Sequence, residues 1–153
     1  MSKREEAMKL FKAGYNCCQA VVGAFSDDIE IDFKTAMLIS SSFGGGMGRM
    51  REVCGTVSGM LMVLGLRFGY SNPKAFAEKT EHYKRVQECA GKFKEKNGSI
   101  ICRELLGLDL KRGEADSHIP SERSKEYYKK ISPCVRLSRR CGRNTRKILQ
   151  FNK

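Results

Sequence analysis

Six helix-start signals punctuate the 153 residues, and they leave little room for anything but helices. Ser2-Lys3-Arg4-Glu5 is a capping box, in which a Ser hydroxyl and a Glu carboxylate each satisfy a backbone N–H that the first turn leaves unpaired. Ala7, Leu10 and Phe11 follow at helical spacing, and Gly14 closes the segment. Asn16 caps a second helix over 17–25, with Ala20, Val21 and Ala24 as its apolar face. Asp32 caps a third over 33–41, carrying Ala36, Met37 and Ile39. A glycine-rich stretch, FGGGMG at 43–48, then leads into a fourth helix from about residue 53 to Phe68. Asn72-Pro73 opens a long fifth helix that runs to Asn97 and stops at Gly98. Ser99 caps a short helix over 100–106, ended by Gly107. Residues 107–123 read as a loop and 127–131 as helical, and Ser132-Pro133 opens a last helix through about Arg140. No segment alternates with period two, and hairpin turn pairs are missing. The expected fold is all-α: one domain over 1–153, a bundle of about six to seven helices with a glycine-rich loop and a basic C-terminal segment, 121–153.

A chain of this length can bury a core of its own. Its longest apolar stretch, Met60 to Leu66, falls far short of the roughly 18 residues that a membrane span needs. The N-terminus, MSKREEAMKLF, is charged and lacks an export segment. The expectation is therefore a cytoplasmic protein with no membrane contact. Net charge is +12, but residues 121–153 hold eleven Lys/Arg against two Asp/Glu and so supply +9 of it. The nearly balanced remainder argues against a specific nucleic-acid reader. A basic tail suits the steering of an acidic partner protein.

Seven cysteines in a chain expected to be cytoplasmic suggest metal, cluster or redox chemistry rather than structural disulfides. Four of them stand at expected helix starts: Cys17 after Asn16, Cys54 at the opening of the fourth helix, Cys102 three residues after Ser99, and Cys134 after Ser132-Pro133. Unpaired N–H groups and the positive end of the helix dipole favour an anion there, which should draw a thiol pKa from about 8.5 toward neutral. Such thiolates attack disulfides or bind iron or zinc. Gly44, Gly45 and Gly46 before Cys54, with Gly55 after it, would let backbone pass close to a bound group and present N–H donors to cluster sulfurs. The spacing carries no C-x₂-C or haem-attachment motif. Each cysteine taken alone reads equally well as a small buried hydrophobe.

The remaining features read more plainly. Cys18 suits helix packing, Cys89 a structural position, and Cys141, in SRRCGRNTR, an exposed thiol. GGGMG is not followed by the Lys-Ser/Thr of a phosphate loop, so phosphate binding with Arg49 and Arg51 is a lesser candidate. His82 and His118 read as surface residues. Gly55, Gly59 and Gly65 with Ser58 make a smooth face for helix packing, and Met47, Met50, Met60 and Met62 read as core fillers.

In order along the chain stand G-Y-N-C at 14–17, F-G-G-G-M-G at 43–48, C-G-T-V-S-G at 54–59, L-M-V-L-G-L at 61–66, C-R-E-L-L-G at 102–107, and Cys134. Together, over roughly residues 8 to 140, they resemble the redox-active family named for four cysteines around a Cys-Gly-Ala-x-x-Gly motif. The resemblance implies that Cys17, Cys54, Cys102 and Cys134 form the functional set. It extends distantly to the non-haem part of the split-Soret cytochromes, helical dimers for which an iron–sulfur centre has been suggested. Their haem-binding segment has no counterpart here. The resemblance thus implies a redox or electron-transfer protein with an iron–sulfur cluster, and it admits a homodimer. A metal-free thiol–disulfide protein and a structural zinc domain are the alternatives. No catalytic acid or base is identifiable, which favours a carrier over an enzyme. Cys18 and Thr56 replace residues that are commonly Ala in the family, and Thr56 is suited to donate a hydrogen bond to sulfur.

Overall fold

The structure, a computed structural model, describes residues 1–130. Seven helices run through them: α1 (Lys3–Lys12), α2 (Cys17–Ala24), α3 (Phe33–Ser40), α4 (Gly55–Phe68), α5 (Phe76–Asn97), α6 (Cys102–Leu105) and α7 (Lys125–Lys130). Between α3 and α4 lie a 3₁₀ turn, Ser41–Phe43, and a turn at Gly44–Met47. The described residues contain no strand; the one β-type pairing among them is an antiparallel bridge between Val53 and Ile101. The all-α expectation holds. The helix expected after Ser132-Pro133 lies outside the described residues, as do Cys134 and Cys141.

Local chemistry accounts for where these helices begin. Ser2 accepts from the Glu5 N–H at 3.2 Å, and Glu5 accepts from the Ser2 N–H at 2.7 Å. Asn16 forms the same reciprocal box with Gln19, at 2.9 and 3.1 Å, and Asp32 caps α3 through the Thr35 N–H. The fifth helix departs from expectation. Asn72 accepts from Lys74 N–H two residues on, so Asn72-Pro73 makes a turn and α5 starts only at Phe76. The short sixth helix also starts late, because the residues before Cys102 are drawn into the bridge with Val53.

Helix α2 is the centre of the bundle. All its residues but Gln19 are buried, and it packs against α1, α3 and α4. A helix buried on every side needs apolar or small residues all round, and CCQAVVGA supplies them. Val21, Val22 and Phe25 meet Val57, Met60, Val63 and Leu64 of α4, with Cys89 and Phe93 of α5 closing the same core. Burial of each large side chain contributes about 1.5–3 kcal/mol. Cys18 belongs here too: it is fully buried, its thiol 3.9 Å from Met62 Sδ.

Three side-chain expectations need correction. Met47 and Met50 are exposed, because they sit on the outer side of the glycine turn rather than on a helix. His82 is buried: α5 lays its ring edge-on against Tyr70, 6.1 Å between centroids. Gly65 meets no neighbour, so the packing face of α4 is made by Gly55 and Gly59 alone.

Candidate functional site

Backbone pairing brings two of the motif cysteines together. The Cys54 N–H donates to the Ile100 carbonyl at 2.8 Å, the Cys102 N–H to the Glu52 carbonyl at 2.6 Å, and the Arg103 N–H to the Arg51 carbonyl at 3.2 Å. This short ladder fixes the start of α4 beside the start of α6. Helix α2 arrives from the opposite side. Gly55 allows the approach: a Cβ there would strike Cys17 Sγ and lie 2.7 Å from the Phe43 carbonyl. Cys17, Cys54 and Cys102 consequently line one cavity of about 50 Å³. All three are buried and carry free thiols. Cys17 and Cys102 are the first residues of α2 and α6, and Cys54 is the cap residue of α4. The fourth candidate, Cys134, lies outside the described residues.

The glycine turn shapes one wall. Gly45 and Gly46 have φ of +65° and +70°, and a Cβ on Gly46 would lie 2.7 Å from that of Cys102. Gly45 and Gly55 line the cavity itself. Gly44 and Gly46 act one step back: Gly44 lies against the Asn16 side chain and Gly46 against Cys102. Left-handed backbone continues into residues that pay for it sterically, at Met47, Arg49 and Arg51, with φ of +68°, +67° and +59°. Such strain persists only where surrounding contacts enforce it.

Those contacts involve two arginines that the sequence offered only as a phosphate candidate. Asp116, in the loop after α6, receives the Arg49 Nη2 at 3.2 Å and the Arg51 Nη2 at 3.0 Å. Arg49 also donates to the Ser117 carbonyl at 2.6 Å. Arg51 Nη1 is directed at Cys102 Sγ, 3.6 Å away. Arg123 spans the other side of the site. It donates to the carbonyls of Phe11, Gly14 and Tyr15, and its guanidinium lies 4.9 Å from the ring centroids of both Phe11 and Tyr127. Among the described residues, three sulfurs therefore face a cavity lined by two guanidinium groups and no carboxylate.

Helix starts do not give Cys54 and Cys102 low pKa values. Burial pushes Cys54 up to about 12, helped by charge repulsion from Cys17 and opposed by the Thr56 N–H and hydroxyl. Cys102 is raised by burial, with Arg51 pulling the other way. Cys18 is raised mainly by burial, and burial likewise takes Cys89 to about 11. At Cys54 and Cys102 the expected shift toward neutrality is reversed because desolvation of a buried thiolate outweighs the dipole of the helix it starts. Cys54 and Cys102 are therefore protonated near neutral pH unless a cation replaces the proton.

The donor set fits such a cation in kind. Cysteine sulfurs are soft ligands suited to iron–sulfur clusters and zinc. The start of α4 also carries a buried hydroxyl, Thr56 Oγ1, with no hydrogen-bond partner. Among the described residues, no three His, Cys, Asp or Glu side chains are gathered tightly enough to clamp a single ion. No described helix is long and apolar enough to cross a membrane.

A helical chain with buried cysteines converging at helix starts is the pattern of a redox-type domain, and comparison with known proteins agrees. Residues 15–150 match the family described as "Putative redox-active protein (C_GCAxxG_C_C)", and the chain belongs to that family. No curated protein and no solved structure matches it.

Proposed function

We propose that the protein is an electron carrier whose four cysteines, Cys17, Cys54, Cys102 and Cys134, hold an iron–sulfur cluster. The observation that carries this reading is the convergence of Cys17, Cys54 and Cys102, from three separate helix starts, on one buried cavity under Arg51 and Arg123. Cys134 follows Tyr127, which lines that cavity, by seven residues, a span of up to about 25 Å when extended, so the chain can return the fourth sulfur to it. A cluster would supply one-electron chemistry. The protein's own residues would hold it, offset its negative charge with guanidinium groups and keep water away.

Two alternatives are less well supported. Thiol–disulfide exchange needs an accessible thiolate, whereas Cys54 and Cys102 are buried and raised. A structural zinc ion needs its sulfurs within about 2.3 Å of one point, and no three such side chains among the described residues are gathered that closely. We assign the protein to the cytoplasm, with an acidic redox protein as partner, guided by the basic segment 121–153.

Anaerobic reconstitution with iron and sulfide tests the reading through a cysteine panel. Cys17→Ser, Cys54→Ser, Cys102→Ser and Cys134→Ser should each lower bound iron and sulfide severalfold, while Cys89→Ala retains both. Equal loading in all five variants would remove the assignment.

A further inference from the structure

The walls of the cysteine cavity differ in how firmly they are held. Helices α1, α2 and α4 supply part of them, with α1 packed on α2 and α2 on α4. The start of α6 is tied to the start of α4 by the pairing of residues 51–54 with 100–103. The remaining wall is residues 122–130, which set Arg123 and Tyr127 against the cavity. Between residues 111 and 122 every residue but Asp116 is exposed. Up to Ser121 this segment is nevertheless pinned to the glycine turn. The Asp116 N–H donates to the Arg49 carbonyl at 3.1 Å, and the Arg49 guanidinium donates to the Ser117 carbonyl and to Ser121 Oγ, at 2.6 and 3.0 Å.

Beyond Ser121 the grip passes to Arg123 and Tyr127. Helix α7 packs broadly against no other helix of the described residues. Tyr127 rests on the small cluster of Phe11, Cys17 and Ala20, and Ser124 Oγ accepts from the Tyr127 N–H at 3.1 Å, which starts α7. Arg123 stands between the Phe11 and Tyr127 rings and bonds the carbonyls of Phe11, Gly14 and Tyr15, where α1 ends. One guanidinium thus joins this wall to α1, so its release frees the wall in a single step. Segments with exposed backbone and few buried apolar contacts open at lower free energy than the core around them.

We propose that residues 122–130 form a hinged cover over the cysteine cavity, latched by Arg123, and that Cys17, Cys54 and Cys102 are reached by opening it. The hinge lies next to Ser121, where the pinned part of the segment ends. The inference concerns access and goes beyond the electron-carrier reading, because it holds for any species that the sulfurs bind.

Alkylation of reduced, metal-free protein by N-ethylmaleimide, mapped cysteine by cysteine by mass spectrometry, tests the cover. Arg123→Ala removes three hydrogen bonds and two cation–π contacts, and should speed modification of Cys17, Cys54 and Cys102 by about tenfold or more. Cys18 and Cys89, buried in the core and not lining the cavity, should keep their wild-type rates. Arg123→Lys keeps the charge but loses the fork that spans three carbonyls, so it should behave as Arg123→Ala does. Arg112→Ala, at an exposed position of the same segment, should change nothing. In wild type, the three cavity cysteines should react in urea well below the unfolding midpoint, where Cys18 and Cys89 remain protected. Unchanged cavity rates in Arg123→Ala, equal acceleration of Cys18 and Cys89, or wild-type cavity cysteines that react only on global unfolding would each overturn the cover. Failure of iron and sulfide to load, with the expected alkylation pattern present, would remove the cluster and sustain the cover.

Discussion

Adding one methyl group at Gly55 should separate α2 from α4 where the cysteines meet. A Cβ at this position would collide with Cys17 Sγ, lie 2.7 Å from the Phe43 carbonyl and 3.2 Å from the Cys18 amide nitrogen. Two of those three neighbours are backbone atoms, which cannot rotate away. Overpacking of this kind costs about 1–3 kcal/mol, and rigid neighbours place Gly55→Ala near the upper end. Gain in helix propensity returns at most about 1 kcal/mol. The net loss is about 2 kcal/mol, which lowers the melting temperature of a domain this size by about 4–8 °C. Gly65→Ala, in the same helix, is the matched control. Nothing lies within 4 Å of its Cβ, so it should gain about 0.5–1 kcal/mol and melt about 1–4 °C higher. Thermal unfolding of both variants by circular dichroism, with metal uptake measured alongside, checks the pair. A Gly55→Ala protein that melts at or above wild type and takes up metal normally would refute the contact between the two helices.

Other outcomes follow from the same packing. Metal-free protein should lose stability above about pH 8.5. The folded state holds the Cys54 and Cys89 protons up to about 12 and 11, while unfolded thiols release theirs near 8.5. Stability is therefore full below pH 8.5 and falls by about 1.4 kcal/mol per pH unit for each thiol in that window. Urea midpoints at pH 8, 9 and 10 measure the fall, and Cys89→Ala should remove the Cys89 share while Cys18, Cys54 and Cys102, raised in the same direction, keep the larger part; a flat profile contradicts burial of these thiols. Asn16→Ala removes the α2 cap and the Asn16 bond to the Ser41 carbonyl, and should cost about 1–2 kcal/mol in chemical unfolding. Asp116→Ala should cost less than about 1 kcal/mol, because its ion pairs are partly exposed. It should nonetheless speed tryptic cleavage at Lys111 and Arg112 by loosening the loop after α6, and unchanged digestion would mean that the Asp116 pairs do not hold that loop.

The helices were legible because their signals are local. Capping by Ser2, Asn16 and Asp32 depends on residues three positions away, and each cap is formed as the sequence indicates. Asn72 misled for an equally local reason: an Asx turn and a helix cap begin with the same residue types. Cys17, Cys54 and Cys102 could be placed at helix starts from sequence, but their meeting depends on the pairing of residues 51–54 with 100–103, which carries no strand-like pattern. The pKa direction was misjudged because helix position is visible in a sequence and desolvation is not. Arg123 and Asp116 were beyond reach, and Arg51 was offered only as a phosphate contact. Asp116 lies in a polar loop that reads as solvent-exposed, and only the fold reveals that it receives both Arg49 and Arg51. The resemblance to the cysteine family supplied the grouping of the four thiols that spacing alone did not.

The most direct test is a reversible redox titration of protein purified anaerobically without added metal, with iron, zinc and acid-labile sulfide measured on the same sample. A coloured protein holding iron and sulfide, whose visible absorption bleaches on reduction and returns on reoxidation, is the predicted result, and Cys54→Ser should abolish it. A colourless protein with neither iron nor sulfide, unchanged by reductant and refractory to reconstitution, would contradict the four-cysteine electron carrier.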